Sequence, residues 1–97
     1  MSEQGKHTAD TDDLILTILS LSSVEEAYAF FDDLCTINEF RSMAQRLQVA
    51  KLLVSGKTFN EVSESTGASS ATISRVNRCL KYGEGYGTVL KKAKDGE

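Results

Sequence analysis

The sequence is poor in the side chains from which catalytic and metal sites are usually built. Its one histidine, His7, lies in a polar N-terminal stretch, which argues against a hydrolase triad or a histidine general base. Its two cysteines, Cys35 and Cys79, have neither CxxC spacing nor a nearby histidine cluster, so neither a zinc site nor a disulfide framework is expected. A glycine-rich phosphate loop and paired carboxylates are missing as well. We therefore predict no enzyme, no catalytic residue, no metal and no tightly bound cofactor.

Long apolar runs are also missing. None approaches the roughly 20 residues that a membrane-spanning helix needs, and the first 13 residues are polar, without the apolar segment of a secretion signal. These features predict a cytoplasmic protein with no membrane partner. The 97 residues suffice for one domain, and a domain of this size buries only about two-thirds of its unfolded surface. Association with a second subunit is therefore expected to stabilise it.

The charged residues are unevenly distributed, which the net charge of −3 conceals. Residues 1–34 contain eight acidic side chains and one lysine, whereas residues 57–94 contain seven basic and three acidic side chains. An acidic half joined to a basic half is typical of a protein that presents one face to a polyanion. Charge alone leaves an ordinary solvated surface equally open.

Signals for helix starts recur along the chain. In a capping box a hydroxyl caps the helix, and a Glu three residues later bonds back to the cap. Three such boxes are Ser23-x-x-Glu26, Thr36-x-x-Glu39 and Thr58-x-x-Glu61. Each opens a segment whose apolar residues repeat with the helical period, and no segment keeps the alternation of a β-strand. The sequence therefore predicts an all-α fold.

The first two predicted helices differ in how much of their circumference is apolar. The second has a single apolar stripe, formed by Val24, Ala27, Tyr28, Phe31 and Leu34. The first is apolar around more than half of its circumference, through Leu14, Ile15, Ile18, Leu19 and Leu21. Such a helix has to be covered on several sides, which a chain this short can hardly do alone.

Polar and glycine residues mark the remaining boundaries. The longest helix is expected from Thr36 to about Ser55, with Gly56 as its left-handed C′ residue. A short helix follows from Thr58 to Gly67, and another runs from about Ser70 to Tyr82. Residues 83–87 are expected to be flexible, with one or two helical turns in 88–94. Residues 10–94 thus form one domain between disordered tails at 1–9 and 95–97.

Residues 58–82 have the spacing of a helix-turn-helix. Ser63 is a small residue where the two helices approach, Gly67 supplies the positive φ of the turn, and Ile73 and Val76 lock the second helix onto the first. The second helix has small side chains near its start and basic residues farther along. This arrangement is typical of a helix that enters the major groove of DNA and contacts phosphates. A plain amphipathic hairpin is the alternative. The candidate DNA-binding residues are Asn60, Ser69, Ser70, Ala71, Thr72, Ser74, Arg75, Arg78 and Lys81.

Residues 34–41, 46–56 and 67–81 carry a family resemblance, most specifically in the block Ala71-Thr-Ile-Ser-Arg75. They resemble the Trp repressor superfamily and, within it, the TrpR-like YerC/YecD branch. The resemblance implies a bacterial transcription regulator and an intertwined homodimer of about six helices per subunit, whose N-terminal helices interlock with the partner's. Two recognition helices about one DNA turn apart, roughly 34 Å, would then read a palindromic operator.

The resemblance also implies a site for a small corepressor. In the Trp repressor the indole of tryptophan lies between two arginines, which Arg46 and Arg75 match, and Thr36 matches a threonine that lines the pocket. Val76 and Cys79 stand where that repressor has a glycine that leaves room for the ligand and a serine that holds its amine. These two departures argue against tryptophan itself. The candidate effector-binding residues are Thr36, Arg46, Arg75, Val76 and Cys79.

Several interpretations stay open. Three binding partners are open for Arg46 and Arg75. The first is another small ligand such as an amino acid, the second is a phosphate, and the third is a carboxylate of the protein, such as Glu39, in a structural ion pair. The predicted function is a sequence-specific DNA-binding repressor whose partners are double-stranded DNA and a second copy of the chain. The alternative is a helical adaptor that docks its basic hairpin on an acidic protein, which the acidic pI of about 5.1 favours. A third interpretation is a redox switch, in which oxidation of Cys79 on the recognition helix disturbs DNA contact.

Overall fold

The computed structural model describes residues 6–95, with side chains described as far as residue 91. These residues form six helices and no strand: α1 (Ala9–Leu19), α2 (Val24–Leu34), α3 (Ile37–Val54), α4 (Phe59–Thr66), α5 (Ser70–Tyr82) and α6 (Gly85–Asp95). The chain divides into two compact units, residues 1–37 and 38–97. The first contains α1 and α2, and the second contains α3, apart from its first residue, and α4 to α6. The prediction of an all-α fold of about six helices is confirmed.

Hydroxyl caps begin both helices of the first unit. Thr8 and Thr11 form a capping box at α1, where each backbone N–H donates to the other's Oγ1, at 2.8 and 3.2 Å. At α2, Glu26 N donates to the Ser23 Oγ at 3.0 Å. The reciprocal bond predicted for Ser23 is replaced, because Glu26 accepts instead from the N–H and hydroxyl of Ser22. The carboxylate thus satisfies two donors one residue before the cap.

Several large apolar residues of the first unit are exposed, and others, such as Phe30 and Phe31, are half-buried. Neither α1 nor α2 contains a buried residue. Leu16 and Leu19 of α1 are 65% and 73% exposed, and Val24 of α2 is 69% exposed. These exposed side chains gain little stabilisation from burial within the single chain.

The second unit contains the core. Its buried residues come from α3, α4, the following turn and α5: Val49, Ala50, Val62, Ala68, Ile73 and Val76. Partly buried apolar residues pack around them: Leu52, Leu53, Leu80, Tyr86 and Leu90. These side chains fall on single helical stripes, so each helix covers its neighbour with one face and leaves the other in water.

Gly56 ends α3 as predicted. Its φ of 95° lies in the left-handed region that favours glycine. Gly56 N donates to the Leu53 carbonyl and Lys57 N to the Leu52 carbonyl, both at 3.1 Å. This pair of bonds is a Schellman motif, which satisfies two carbonyls that the helix end would otherwise leave unpaired.

The structure corrects the predicted ends of the domain. The helix α6 begins at Gly85 and has 11 residues, so the prediction of a flexible 83–87 segment and only one or two turns was wrong. Tyr86 and Leu90 lie one turn apart and pack against the core, and this contact compensates for the poor helix propensity of glycine. Helix α1 begins at Ala9, inside the predicted tail. Residues 1–5 and 96–97 of the predicted tails lie outside the described residues.

Candidate nucleic-acid interface

The first helix of the helix-turn-helix, α4, begins at a complete capping box. Thr58 N donates to the Glu61 Oε1 at 2.9 Å, and Glu61 N donates to the Thr58 Oγ1 at 3.2 Å, as the sequence predicted. The hydrogen bonds from the Thr58 backbone and hydroxyl lower the pKa of Glu61 below its usual value of 4.5, and the nearby Lys57 charge adds to this. The start of α4 is therefore fixed most firmly when Glu61 is ionised.

The turn after α4 is held by hydrogen bonds of its own residues. Gly67 has a φ of 73° and donates its N–H to the Ser63 carbonyl at 2.8 Å. The Thr66 hydroxyl donates to the Val62 carbonyl at 2.7 Å and accepts from Ala68 N at 3.1 Å. The Ser63 hydroxyl donates to the Ala68 carbonyl at 3.4 Å. The positive φ predicted for Gly67 is confirmed, and Ser63, predicted to lie where the two helices approach, is exposed and bonds the turn through its hydroxyl.

The second helix, α5, is capped by Ser69. Thr72 N donates to the Ser69 Oγ, and the Ser69 hydroxyl donates to the Thr72 Oγ1, both at 3.1 Å. Thr72 is half-buried and lies two residues after Ser70, which places it on nearly the opposite side of the helix. Thr72, a candidate DNA-binding residue, therefore also supports the cap.

One face of α5 brings most of the other candidate residues together. The side chains of Ser70, Ala71, Ser74, Arg78 and Lys81 are exposed and share one side of the helix at 3.6 residues per turn. Arg75, also exposed, lies at the edge of this face. The 13 residues of α5 include no acidic side chain. Asn60 lies apart from them, exposed in the first turn of α4.

The opposite face of α5 closes the motif. Ile73 and Val76 are each 1% exposed, and Leu80 packs partly buried against the same cluster. They meet Val62 of α4 and Ala68 of the turn in the core. Burial of these residues holds α5 in a fixed position relative to α4, and this leaves the polar and basic face directed at solvent.

The candidate effector-binding residues are distributed differently. Arg46 lies half-buried on α3, whereas Arg75 and Cys79 are exposed and one turn apart on α5. Val76 belongs to the core. Thr36 is exposed and directly precedes α3. Among the side chains described up to residue 91, neither arginine forms an ion pair with a carboxylate.

One contact at this site was not predicted from the sequence. The Gln45 Nε2 of α3 donates to the Thr66 carbonyl at 3.1 Å. This bond satisfies a carbonyl in the last turn of α4 and joins that turn to α3. The two residues are 21 positions apart, and no short sequence pattern reports a bond over that separation.

Among the side chains that the structure describes, residues 6–91, no cluster of three or more His, Cys, Asp or Glu residues is placed to bind a metal ion. None of the six helices combines the length and apolar character that crossing a bilayer requires.

Similar sequences share most of the chain. The family model of the Trp repressor protein matches residues 9–94. The uncharacterized protein YerC of Bacillus subtilis strain 168 is 54% identical over 89 residues, which cover 91% of this chain and 86% of that protein.

Solved structures show the same fold. A candidate Trp repressor from Staphylococcus aureus is 45% identical, has a TM-score of 0.89, and is matched over 97% of this chain and 95% of its own. A TrpR-like protein from Eubacterium eligens is 50% identical, has a TM-score of 0.86, and is matched over 90% of this chain and 91% of its own. With the family model matched from α1 to α6, this chain belongs to the Trp repressor protein family.

Proposed function

We propose that the protein is a transcriptional repressor that binds a palindromic operator in double-stranded DNA as a homodimer. The observation that carries this proposal is the division of α5 into two faces. Ile73 and Val76 fix the helix in the core, while Ser70, Ser74 and Arg78 face outward without any acidic neighbour on the helix. Membership of the Trp repressor family supports the same function class.

Each part of the exposed face has a distinct role in this proposal. Ser70, Ala71 and Ser74 are small, so the start of α5 can approach base edges closely. Arg78 and Lys81 lie farther along and meet phosphates, with Arg75 at the edge of the face. Because α5 carries three basic and no acidic side chains, the local field attracts DNA even though the whole chain is acidic.

The dimer is supported by the apolar surface of the first unit. Leu16, Leu19 and Val24 are each more than 60% exposed in the single chain. A second copy of α1 and α2 would supply the apolar cover that these residues lack. Twofold symmetry would then set two copies of α5 at the spacing of a palindrome.

A small effector, such as an amino acid, is proposed to control DNA binding through Arg46 and Arg75. Arginine forks suit a ligand carboxylate. Val76 occupies core volume beside this position, and Cys79 offers a weaker hydrogen-bonding group than a serine hydroxyl. The proposed effector is therefore smaller than tryptophan.

The test is capture of genomic DNA fragments by the purified protein at about 150 mM salt, because phosphate contacts weaken steeply with salt. We expect enrichment of a palindromic sequence. Repeating the capture with pooled free amino acids asks whether an effector changes the enrichment. Arg78→Ala is expected to weaken binding to the captured sequence while the protein remains dimeric.

Lys6→Ala is the matched control, since it removes the same charge from the first unit. Loss of binding in Arg78→Ala but not in Lys6→Ala supports the proposed interface. No enrichment with or without amino acids would contradict the repressor function and favour an adaptor that binds an acidic protein.

A further inference from the structure

A groove lined by both polar and apolar residues lies between α3 and the end of α4. It has a volume of about 520 Å³, with Ser65 and Thr66 of α4 on one side and these residues of α3 on the other: Arg41, Ala44, Gln45, Gln48 and Leu52. A depression of about 240 Å³ adjoins it along α3 and shares Arg41 and Gln45. Arg41 therefore borders both spaces.

The chemistry of this groove differs from that of the chain as a whole. The protein has 14 acidic and 11 basic residues, but no carboxylate lines the groove or its adjoining depression. Their polar groups are the Arg41 guanidinium together with amides and hydroxyls, which can all donate hydrogen bonds. One arginine surrounded by neutral donors suits an oxyanion, and a phosphate accepts from an arginine fork with particular strength.

The groove is held in place relative to the start of α5. The Gln45 amide bonds the Thr66 carbonyl across it, and the Thr66 hydroxyl bonds Ala68 N in the turn. Thr66 and Ser69, the cap of α5, are three residues apart, so at most about 11 Å separates their Cα atoms. The position of α5 therefore determines where the groove lies.

This placement matches the geometry of DNA docking. The major groove is about 12 Å wide, and the sugar-phosphate backbones of the two strands form its walls. In a helix-turn-helix the second helix enters the major groove and the first crosses the sugar-phosphate backbone. The end of α4 and the groove beside it would then lie over one DNA strand. This is the strand that borders the major groove where the bases face α5.

We propose that Arg41 binds a backbone phosphate of this bordering strand, with the phosphate seated in the groove between α3 and α4. The inference rests on the proposed DNA-binding function and adds a contact outside the helix-turn-helix. Gln45 and Gln48 position the phosphate beside the guanidinium by donating to its other oxygens. Because the contact is to the backbone, it adds affinity without reading sequence.

The test is a fluorescence-anisotropy titration of the full chain on the captured palindromic duplex over a range of salt concentrations. At about 150 mM salt, Arg41→Ala is expected to weaken binding about tenfold. In a dimer, which makes the contact twice, the slope of log affinity against log salt should become shallower by about 2. Lys51→Ala is the matched control, because Lys51 is an exposed lysine of the same helix that does not line the groove.

Two further arms separate a phosphate contact from a general change of charge. Arg41→Lys should keep the salt slope but recover only part of the affinity, because lysine lacks the planar fork. Trimming the duplex on both sides, so that the bordering phosphates are lost, should weaken the wild-type protein about as much as Arg41→Ala does. It should affect the Arg41→Ala protein little further.

The possible outcomes separate this proposal from the proposed function. Wild-type binding together with equal behaviour of Arg41→Ala and Lys51→Ala would overturn the phosphate contact and leave the repressor function standing. Failure of the wild-type protein to bind any duplex would overturn both. Circular dichroism and sedimentation check that each variant is folded and dimeric. If Arg41→Ala misfolds, Arg41→Gln is used instead. If trimming the duplex weakens binding by this variant as much as it weakens binding by the wild type, the phosphate contact is overturned.

Discussion

The two units of this chain differ in the burial of their apolar side chains. In residues 38–97, six residues from α3, α4, α5 and the turn are no more than 3% exposed. In residues 1–37, neither helix contains a buried residue, and Leu16, Leu19 and Val24 are each more than 60% exposed. Both units have apolar residues in helical register, so composition does not explain the difference.

The difference follows from how the apolar residues are arranged. Helices α4 and α5 each have one apolar stripe, and a turn of three residues between Thr66 and Ser70 brings the stripes together. Helix α1 is apolar around most of its circumference, so a single neighbour cannot cover it. The second unit forms its core within one chain, whereas the apolar surface of the first unit would be covered in the proposed homodimer.

A charge placed on the apolar surface of the first unit should have the largest effect on dimerisation. Leu16→Asp is expected to raise the dissociation constant of the dimer at least about 100-fold, about 2.8 kcal/mol, because dimerisation would bury the new carboxylate without a partner. Sedimentation over a range of protein concentrations measures the change.

Ala29→Asp is the control for this substitution. Ala29 is exposed and lies opposite the apolar stripe of α2, so the same charge there should leave the dimer intact. If Leu16→Asp and Ala29→Asp dissociate at the same concentration as the wild type, the apolar surface of α1 is not the dimer interface.

Removing a core side chain from the second unit should destabilise the fold independently of dimer contacts. Ile73→Ala is expected to lower the free energy of unfolding by about 2–5 kcal/mol, because Ile73 is 1% exposed and its loss leaves a cavity. Urea denaturation at several protein concentrations measures this. The neighbouring exposed residue provides the control, since Ser74→Ala should change stability by no more than about 0.5 kcal/mol. Equal losses in the two variants would contradict the assignment of the core.

The smallest expected effect concerns the pH dependence of the second unit. The pKa of Glu61 is lower in the folded protein than its usual 4.5 because the carboxylate accepts hydrogen bonds from Thr58. Ionised Glu61 therefore stabilises the fold above about pH 4.5, and this contribution is lost as the pH falls through the lowered pKa. Thermal unfolding from pH 7 to pH 3 should show a shallower loss of stability in Glu61→Gln than in the wild type. Glu64→Gln removes a charge from the same helix without touching the cap, and an identical effect there would rule out this explanation.

Local signals in the sequence predicted the second unit in detail. Gly56 and Gly67 have the positive φ that was expected of them, Thr58 forms its box with Glu61, and α5 extends from Ser70 to Tyr82. These features depend on residues within five positions of each other, which is why spacing alone reveals them. The exposed face of α5 was also predicted, except that the Thr72 hydroxyl bonds the Ser69 cap.

Features that depend on distant residues were missed or mistaken. Residues 83–87 have the composition of a flexible link, yet α6 begins at Gly85 because Tyr86 and Leu90 pack on the core. Gln45 and Thr66 meet across 21 positions. This bond lies in the groove beside Arg41 and joins the end of α4 to α3.

The sequence by itself determined the helices, their caps and the polar and apolar faces of α5, because each of these depends on hydrogen bonds and side-chain periodicity within a few residues. Only the tertiary structure decided the length of α6 and the seating of α4 on α3. It also separated a unit with its own core from one in which several large apolar residues remain exposed. Those outcomes depend on which faces meet, and the free energy of burying one face against another is not contained in any single segment.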